Sequence, residues 1–235
     1  MMAGMADSIQ LFSPPITVYL SRSSRARRFS LRVSSHDGQV RLTLPQNGSR
    51  RAALAFIKRQ EGWLRQALDQ RPARVVPEYG GTCLFEGRPH LLVPTSGRRI
   101  SAGDGQIHIP GPAETLRPKL QAFLKTSARA RLVQSSAAFA DKVGATISAT
   151  TLRDTRSRWG SCSSKGRLMF SWRLIMAPPE VLNYVAAHEV AHLVEMNHSP
   201  AFWEIVARLM PDFTQHRHWL RQNGALLHSV CFQGC

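Results

Sequence analysis

Between Val181 and Val194 an almost unbroken apolar run carries three ionisable side chains, His188, Glu189 and His192. An apolar run of that length must be buried, and unpartnered polar groups inside it would cost several kcal/mol each. The run is therefore a core helix whose polar residues have a purpose. Pro178-Pro179-Glu180 marks its start, with proline suited to the first turn and Glu180 complementing the helix dipole. Residues four apart project from one helical face, so both imidazoles can reach one metal ion, and Glu189 can lean toward a water on it. This is the HExxH arrangement of zinc hydrolases. With 9 histidines in 235 residues, chance supplies only about 0.01 such motifs. A membrane span is excluded, because it needs roughly 20 clean apolar residues.

A catalytic zinc takes three protein ligands and keeps a position for water. The third ligand must come from beyond the helix. Asn197 is placed to end it and His198 follows, so a turn there swings His198 back to the metal. Ser199-Pro200 reads as the N-cap and first position of a new helix over 201–210. Glu195 and Glu204 are the rival ligands.

Upstream, Ile16 to Val33 reads as two short strands around the basic run Arg22, Arg25, Arg27 and Arg28, whose arginines are expected to share a strand face with Arg32. Phe29, Leu31 and Val33 alternate with polar residues, as do Val40, Leu42 and Leu44 after the turn Asp37-Gly38, a β-hairpin pattern. Residues 50–69 suit one amphipathic helix, ended by Pro72 and Pro77. Short strands return from Gly80 to Pro112. A long helix follows over about 115–143, then strands over 146–153 and 168–174 flank the loop RSRWGSCSSKG. There is no sequence repeat. The fold class is α+β: a β-rich region 1–112 with one helix, and a zincin-like region 113–235 with a small sheet on the metal-bearing helix.

The net charge of +16 is uneven: residues 1–174 carry 28 basic and 10 acidic side chains, residues 175–235 only 3 and 5. That asymmetry is compatible with nucleic acid bound through the basic N-terminal two-thirds, or with arginine-rich composition alone. The start shows no secretory signal, so a cytoplasmic location with reduced thiols is expected. Cys231 and Cys235 are expected in a frayed tail, where they could bind metal adventitiously.

RSRWGSC (156–162), the Pro-Pro helix start, Tyr184, HEVAHLVEMNHS (188–199), Phe202-Trp203 and Pro211-Asp212 together resemble the YgjP-like metallopeptidase domain, a family related to SprT-type zinc proteases. RSSRARRFSLRV and FIKRQEGWL (56–64) are similar to its N-terminal region. Val190 stands where that family often has Leu, a conservative change. The resemblance implies one zinc per chain on His188, His192 and His198, Glu189 as general base, and a peptide or protein substrate.

A zinc ion in such a site acidifies water and polarises the scissile carbonyl, while Glu189 carries the proton to the leaving amine. Tyr184, His216, His218 and Arg158 are the side chains offered for the oxyanion. Arg158, Trp159 and Gly160 are offered for substrate binding: glycine beside tryptophan permits close backbone approach at a sheet edge, where substrate main chain can add as a strand. Alternatively Trp159 packs on the active-site helix and Gly160 only turns the chain. Phe202 and Trp203 read as core, Cys162 as a small buried residue. A metal-dependent hydrolase of a phosphate or nucleotide, or a nucleic-acid-associated SprT-like protease, is the alternative function. Residues 223–235 are long enough to occlude the cleft.

Overall fold

The computed structural model describes residues 7–34 and 38–232. The chain divides into two compact units, 1–73 and 74–235. The expected boundary at Gly111-Pro112 instead lies inside the second unit, where Pro112 caps a helix and Gly111 takes a positive φ of 101°.

In the first unit, β1 (Ser8–Leu11), β2 (Ile16–Ser23), β3 (Ser30–Val33) and β4 (Val40–Pro45) form a sheet in the order β1-β2-β4-β3. The β3/β4 hairpin is antiparallel, as the alternation predicts, and β2 pairs parallel to β4 at the centre. Gly38 has a φ of 70°, and Asp37, the other expected turn residue, is outside the described residues. One face buries Ile16, Val18, Val40, Leu42 and Leu44 against Ala53, Ile57 and Leu64. Those last three lie on two helices, α1 (Arg50–Arg59) and α2 (Glu61–Asp69), not on one. The break falls at Gln60, close to Gly62, a poor helix former. The arginines of the basic run do not share a strand face. Arg22 ends β2 and donates through Nη1 to the carbonyls of Gln46 (2.6 Å) and Gly48 (3.0 Å), whereas Arg25, Arg27 and Arg28 lie in the connection to β3.

The second unit opens with β5 (Thr82–Phe85), β6 (Arg88–Thr95), β7 (Ser101–Gly103) and β8 (Gln106–Pro110), ordered β5-β6-β8-β7. Strand order and pairing sense match the first sheet, a likeness of topology without a sequence repeat. α3 (Ala113–Val143) runs through the core on a stripe from Leu116 through Leu120, Leu124, Ala128 and Leu132 to Ala140. β9 (Ala149–Arg153), β10 (Gly160–Cys162) and β11 (Arg167–Ser171) form a third sheet ordered β10-β11-β9, so the expected loop around Gly160 contains an edge strand.

A buried 3-10 turn, Trp172–Met176, leads into α4 (Pro179–Ala191). The tip of the β5/β6 hairpin pins this junction. Glu86 and Gly87 both take positive φ, as a tight two-residue hairpin turn requires, and their amides donate to Ile175 O (2.8 Å) and Met176 O (3.2 Å). Arg173 is the second anchor. Its buried guanidinium holds Asp154 through two bonds and donates to the carbonyls of Leu227 and Val230, both at 2.9 Å.

α5 (Pro200–Leu209) and α6 (Phe213–Ser229) complete the unit. As far as Phe232 the chain is packed rather than frayed: Val230 bridges to Val75, and Phe232 is buried. Cys83 and Cys162 are free, but Cys231 is disulfide-bonded, which corrects the expectation of wholly reduced thiols. Cys235 is outside the described residues. Among those described, no helix is long and apolar enough to cross a membrane.

Candidate metal centre

α4 is buried on nearly every side, as its apolar sequence requires. Its regular helix ends at Ala191, not at Asn197, but His192 keeps helical angles (φ −68°, ψ −13°) and stays on the face of His188. Residues 193–197 then turn the chain. The Ser199 hydroxyl caps α5 by accepting from the Phe202 amide at 3.2 Å, with Pro200 at the first helical position. Between these fixed ends His198 comes back over the helix.

The result is a tight cluster in which ligand atoms of His188, His192 and His198 all lie within 4.8 Å of one another. His188 Nε2 and His198 Nε2 face each other at 3.1 Å. Nitrogens about 2.0–2.1 Å from a tetrahedral ion would stand about 3.3–3.4 Å apart, so the donors fit a small divalent metal. His192 Nδ1 lies 3.0 Å from the Glu195 carbonyl. Donation there leaves Nε2 as the ligand atom. Glu195 thus acts through its backbone, and Glu204 is exposed on α5. The Nδ1 of His188 is buried with no hydrogen-bond partner.

Aromatic rings fix these imidazoles. Phe202, fully buried, stacks on His192 at 4.4 Å and meets His188 and His198 edge-on at 4.9 and 4.8 Å. Trp203 stacks with His198 at 5.8 Å and with Phe213 at 5.5 Å. Burial drives the His188 pKa down to about 3, with the charges of His192, His198 and Arg217 adding to it. Burial also lowers His192, against the raising effect of the Glu195 carbonyl. Both rings are held neutral, the state a metal ligand needs.

Glu189 is 5% exposed. Burial pushes its carboxyl up to about 8, and the Arg158 guanidinium pulls the other way. Gly160 of β10 lies directly against it: a Cβ there would stand 2.6 Å from Glu189 Cγ and 2.7 Å from Cδ. The glycine is needed for space. It is neither a turn residue nor a positive-φ position. Trp159 stacks on His228 at 4.7 Å, and its ring comes within 3.0 Å of a Cβ built at Gly224. Residues 223–229 therefore form part of α6 and brace the loop before β10, rather than lying across the cleft as an occluding tail.

Of the four side chains offered for the oxyanion, Tyr184 lies beside the cluster, 6.0 Å from His188. Burial raises its pKa, Arg217 lowers it and Glu189 raises it. Arg158 acts on Glu189. On α6 it is Arg217, between His216 and His218, whose charge reaches His188 and Tyr184. Sequence reasoning missed Arg217. Four residues after Phe213, it shares that ring's helical face, a signal available once 213–229 is read as a helix.

The family described as "YgjP-like, metallopeptidase domain" matches residues 27–223. No curated protein is significantly similar in sequence. Among solved structures, the metallopeptidase zymogen abylysin of Pyrococcus abyssi is similar at 20% identity with a TM-score of 0.35, over 38% of this chain and 93% of that one.

Proposed function

The chain belongs to the YgjP-like metallopeptidase family, and from that premise we propose that it hydrolyses peptide bonds with one zinc ion held by His188, His192 and His198 and with Glu189 as general base. The carrying observation is the convergence of three imidazoles with a buried carboxyl next to His188 on the same helix. Three histidines without cysteine form an open donor set, which suits catalysis rather than a closed structural site.

Bound zinc supplies a Lewis acid and an activated water at neutral pH. Glu189, beside His188 on α4, is placed to take the water's proton and deliver it to the leaving amine. Tyr184, whose ring lies 6.0 Å from that of His188, is the hydroxyl we assign to the developing oxyanion. The free edge of β10 offers main-chain groups to an extended substrate beside Glu189.

Glu189→Gln tests the reading. It should retain metal and lose at least a hundredfold in cleavage of a mixed peptide library. Undiminished cleavage would refute the base assignment. Because Arg158 and Arg217 bring positive charge to the site, the same preparations should be offered a nucleoside triphosphate. Glu189-dependent phosphate release without peptide cleavage would replace the peptidase reading.

A further inference from the structure

We propose that Arg217 is the anion anchor of this site, selecting peptides by a free carboxylate one or two residues beyond the scissile bond; the proposal rests on the peptidase reading above. Arg217 and Phe213 lie four apart on α6 and both address Trp203. Phe213 stacks on that indole at 5.5 Å, and the guanidinium carbon of Arg217 sits 4.7 Å from its centre. The same indole stacks on His198 and lies 5.8 Å from the His188 ring. The cation is thus fixed two ring contacts from the ligand cluster.

This is not the general arginine excess of the chain, since residues 175–235 carry only Arg208, Arg217 and Arg221 against five acidic side chains. Among the described residues, the ion pairs use Arg50, Arg65, Arg131 and Arg173, and no carboxylate of those residues pairs with Arg217. A guanidinium held over an indole keeps its N–H edge available for bidentate contact with a carboxylate. The guanidinium carbon is 4.7 Å from the Trp203 ring and that ring is 5.8 Å from the His198 ring, so the cation lies within about 10.5 Å of the cluster, a reach inside which one or two residues of extended chain fall at roughly 3.3–3.6 Å each. Substrates would then be peptides with a nearby free C-terminus, losing one or two residues per cleavage.

The test is calorimetric binding of acetyl-Ala-Ala-Leu and its C-terminal amide to the zinc-loaded Glu189→Gln protein, with and without Arg217→Gln or Arg217→Lys. The free acid should bind at least tenfold tighter than the amide. Arg217→Gln should bring the acid down to the amide's affinity with zinc content unchanged, and Arg217→Lys should restore part of the difference. Equal affinity for acid and amide would overturn the proposal. So would no binding of either at millimolar concentration, or equal weakening of both by Arg217→Gln, which would assign the arginine to the reacting carbonyl. If the acid is preferred through Arg217 while the wild type cleaves no peptide, the anchor stands and the peptidase reading fails.

Discussion

Replacing Gly160 by alanine adds one methyl group at the closest approach between β10 and α4. The added carbon would stand 2.6 Å from Glu189 Cγ and 2.7 Å from Cδ. Carbon atoms rest at about 3.5–4.0 Å, so roughly 1 Å of displacement is required. Gly160 has no positive φ, so the alanine backbone itself is unstrained. Glu189 is 5% exposed and α4 is buried on almost every side, so the side chain has little room to swing away. Either the carboxylate moves off its position or β10 lifts, pulling at Trp159 and its stack on His228. A 1 Å misplacement costs about a hundredfold in rate, and overpacking costs about 1–3 kcal/mol. For a unit of this size that is a fall of roughly 2–12 °C in Tm. The three atoms nearest the added carbon all belong to Glu189, so the histidine cluster should be untouched. Metal content, thermal unfolding and peptide turnover of Gly160→Ala, measured on one preparation, check the reasoning. Full activity at unchanged Tm would refute it, and lost metal would show that the strain spreads into the histidines.

Other consequences are equally open to measurement. His198→Ala should weaken metal retention by more than the 10–100-fold typical of losing an outer-shell partner, read by elemental analysis after dialysis. Burial holds the Glu189 carboxyl at about 8 in the folded protein, against 4.5 for a free glutamate side chain. The unfolded chain therefore releases this proton first as pH rises, so the carboxyl's own contribution to the stability of the metal-free protein falls between those values by no more than about 5 kcal/mol, while His188, lowered to about 3, acts in the opposite sense up to about 6.5. Urea unfolding of wild type and Glu189→Gln at pH 5 and pH 8 isolates the carboxyl, and a stability difference between the two proteins that is the same at both pH values would refute the assignment. Arg173→Met leaves two carbonyls and Asp154 without their donor and should cost about 3 kcal/mol in denaturant titration, because Asp154 stays half-exposed. Burial pushes the Cys83 thiol up to about 12, so iodoacetamide at pH 8 should label it only at the rate of unfolding.

The metal-bearing helix was legible because its pattern is local. Histidines four apart on an apolar helix leave one placement, and Ser199-Pro200 announces the helix that returns His198. α6 was not legible, because its buried face is built from Gly224, His228 and Ser229 as well as leucines. Gly224 looks like a helix breaker in sequence, yet it makes room for Trp159. Missing that helix also hid Arg217. Gly111-Pro112 reads as a linker, but Leu92, Ile107 and Ile109 before it share one core with Leu116 and Leu120 after it. Such long-range packing leaves no periodicity to read. The edge strand at Gly160 was legible as a close approach, though not which side chain it approaches.

All three proposed metal ligands lie between positions 188 and 198, within one helix end and one turn. Little chain entropy is spent in closing so short a loop, and the metal-binding half of the site can assemble from neighbouring residues alone. The rest is remote in sequence: Glu189 is confined by Gly160, Gly160 is steadied through Trp159, and Trp159 leans on the far end of α6. Affinity for metal and competence to turn over substrate thus depend on different stretches of the molecule. A truncated or partly unfolded chain should still retain its ion, so the ion marks the local fold and turnover marks the whole one.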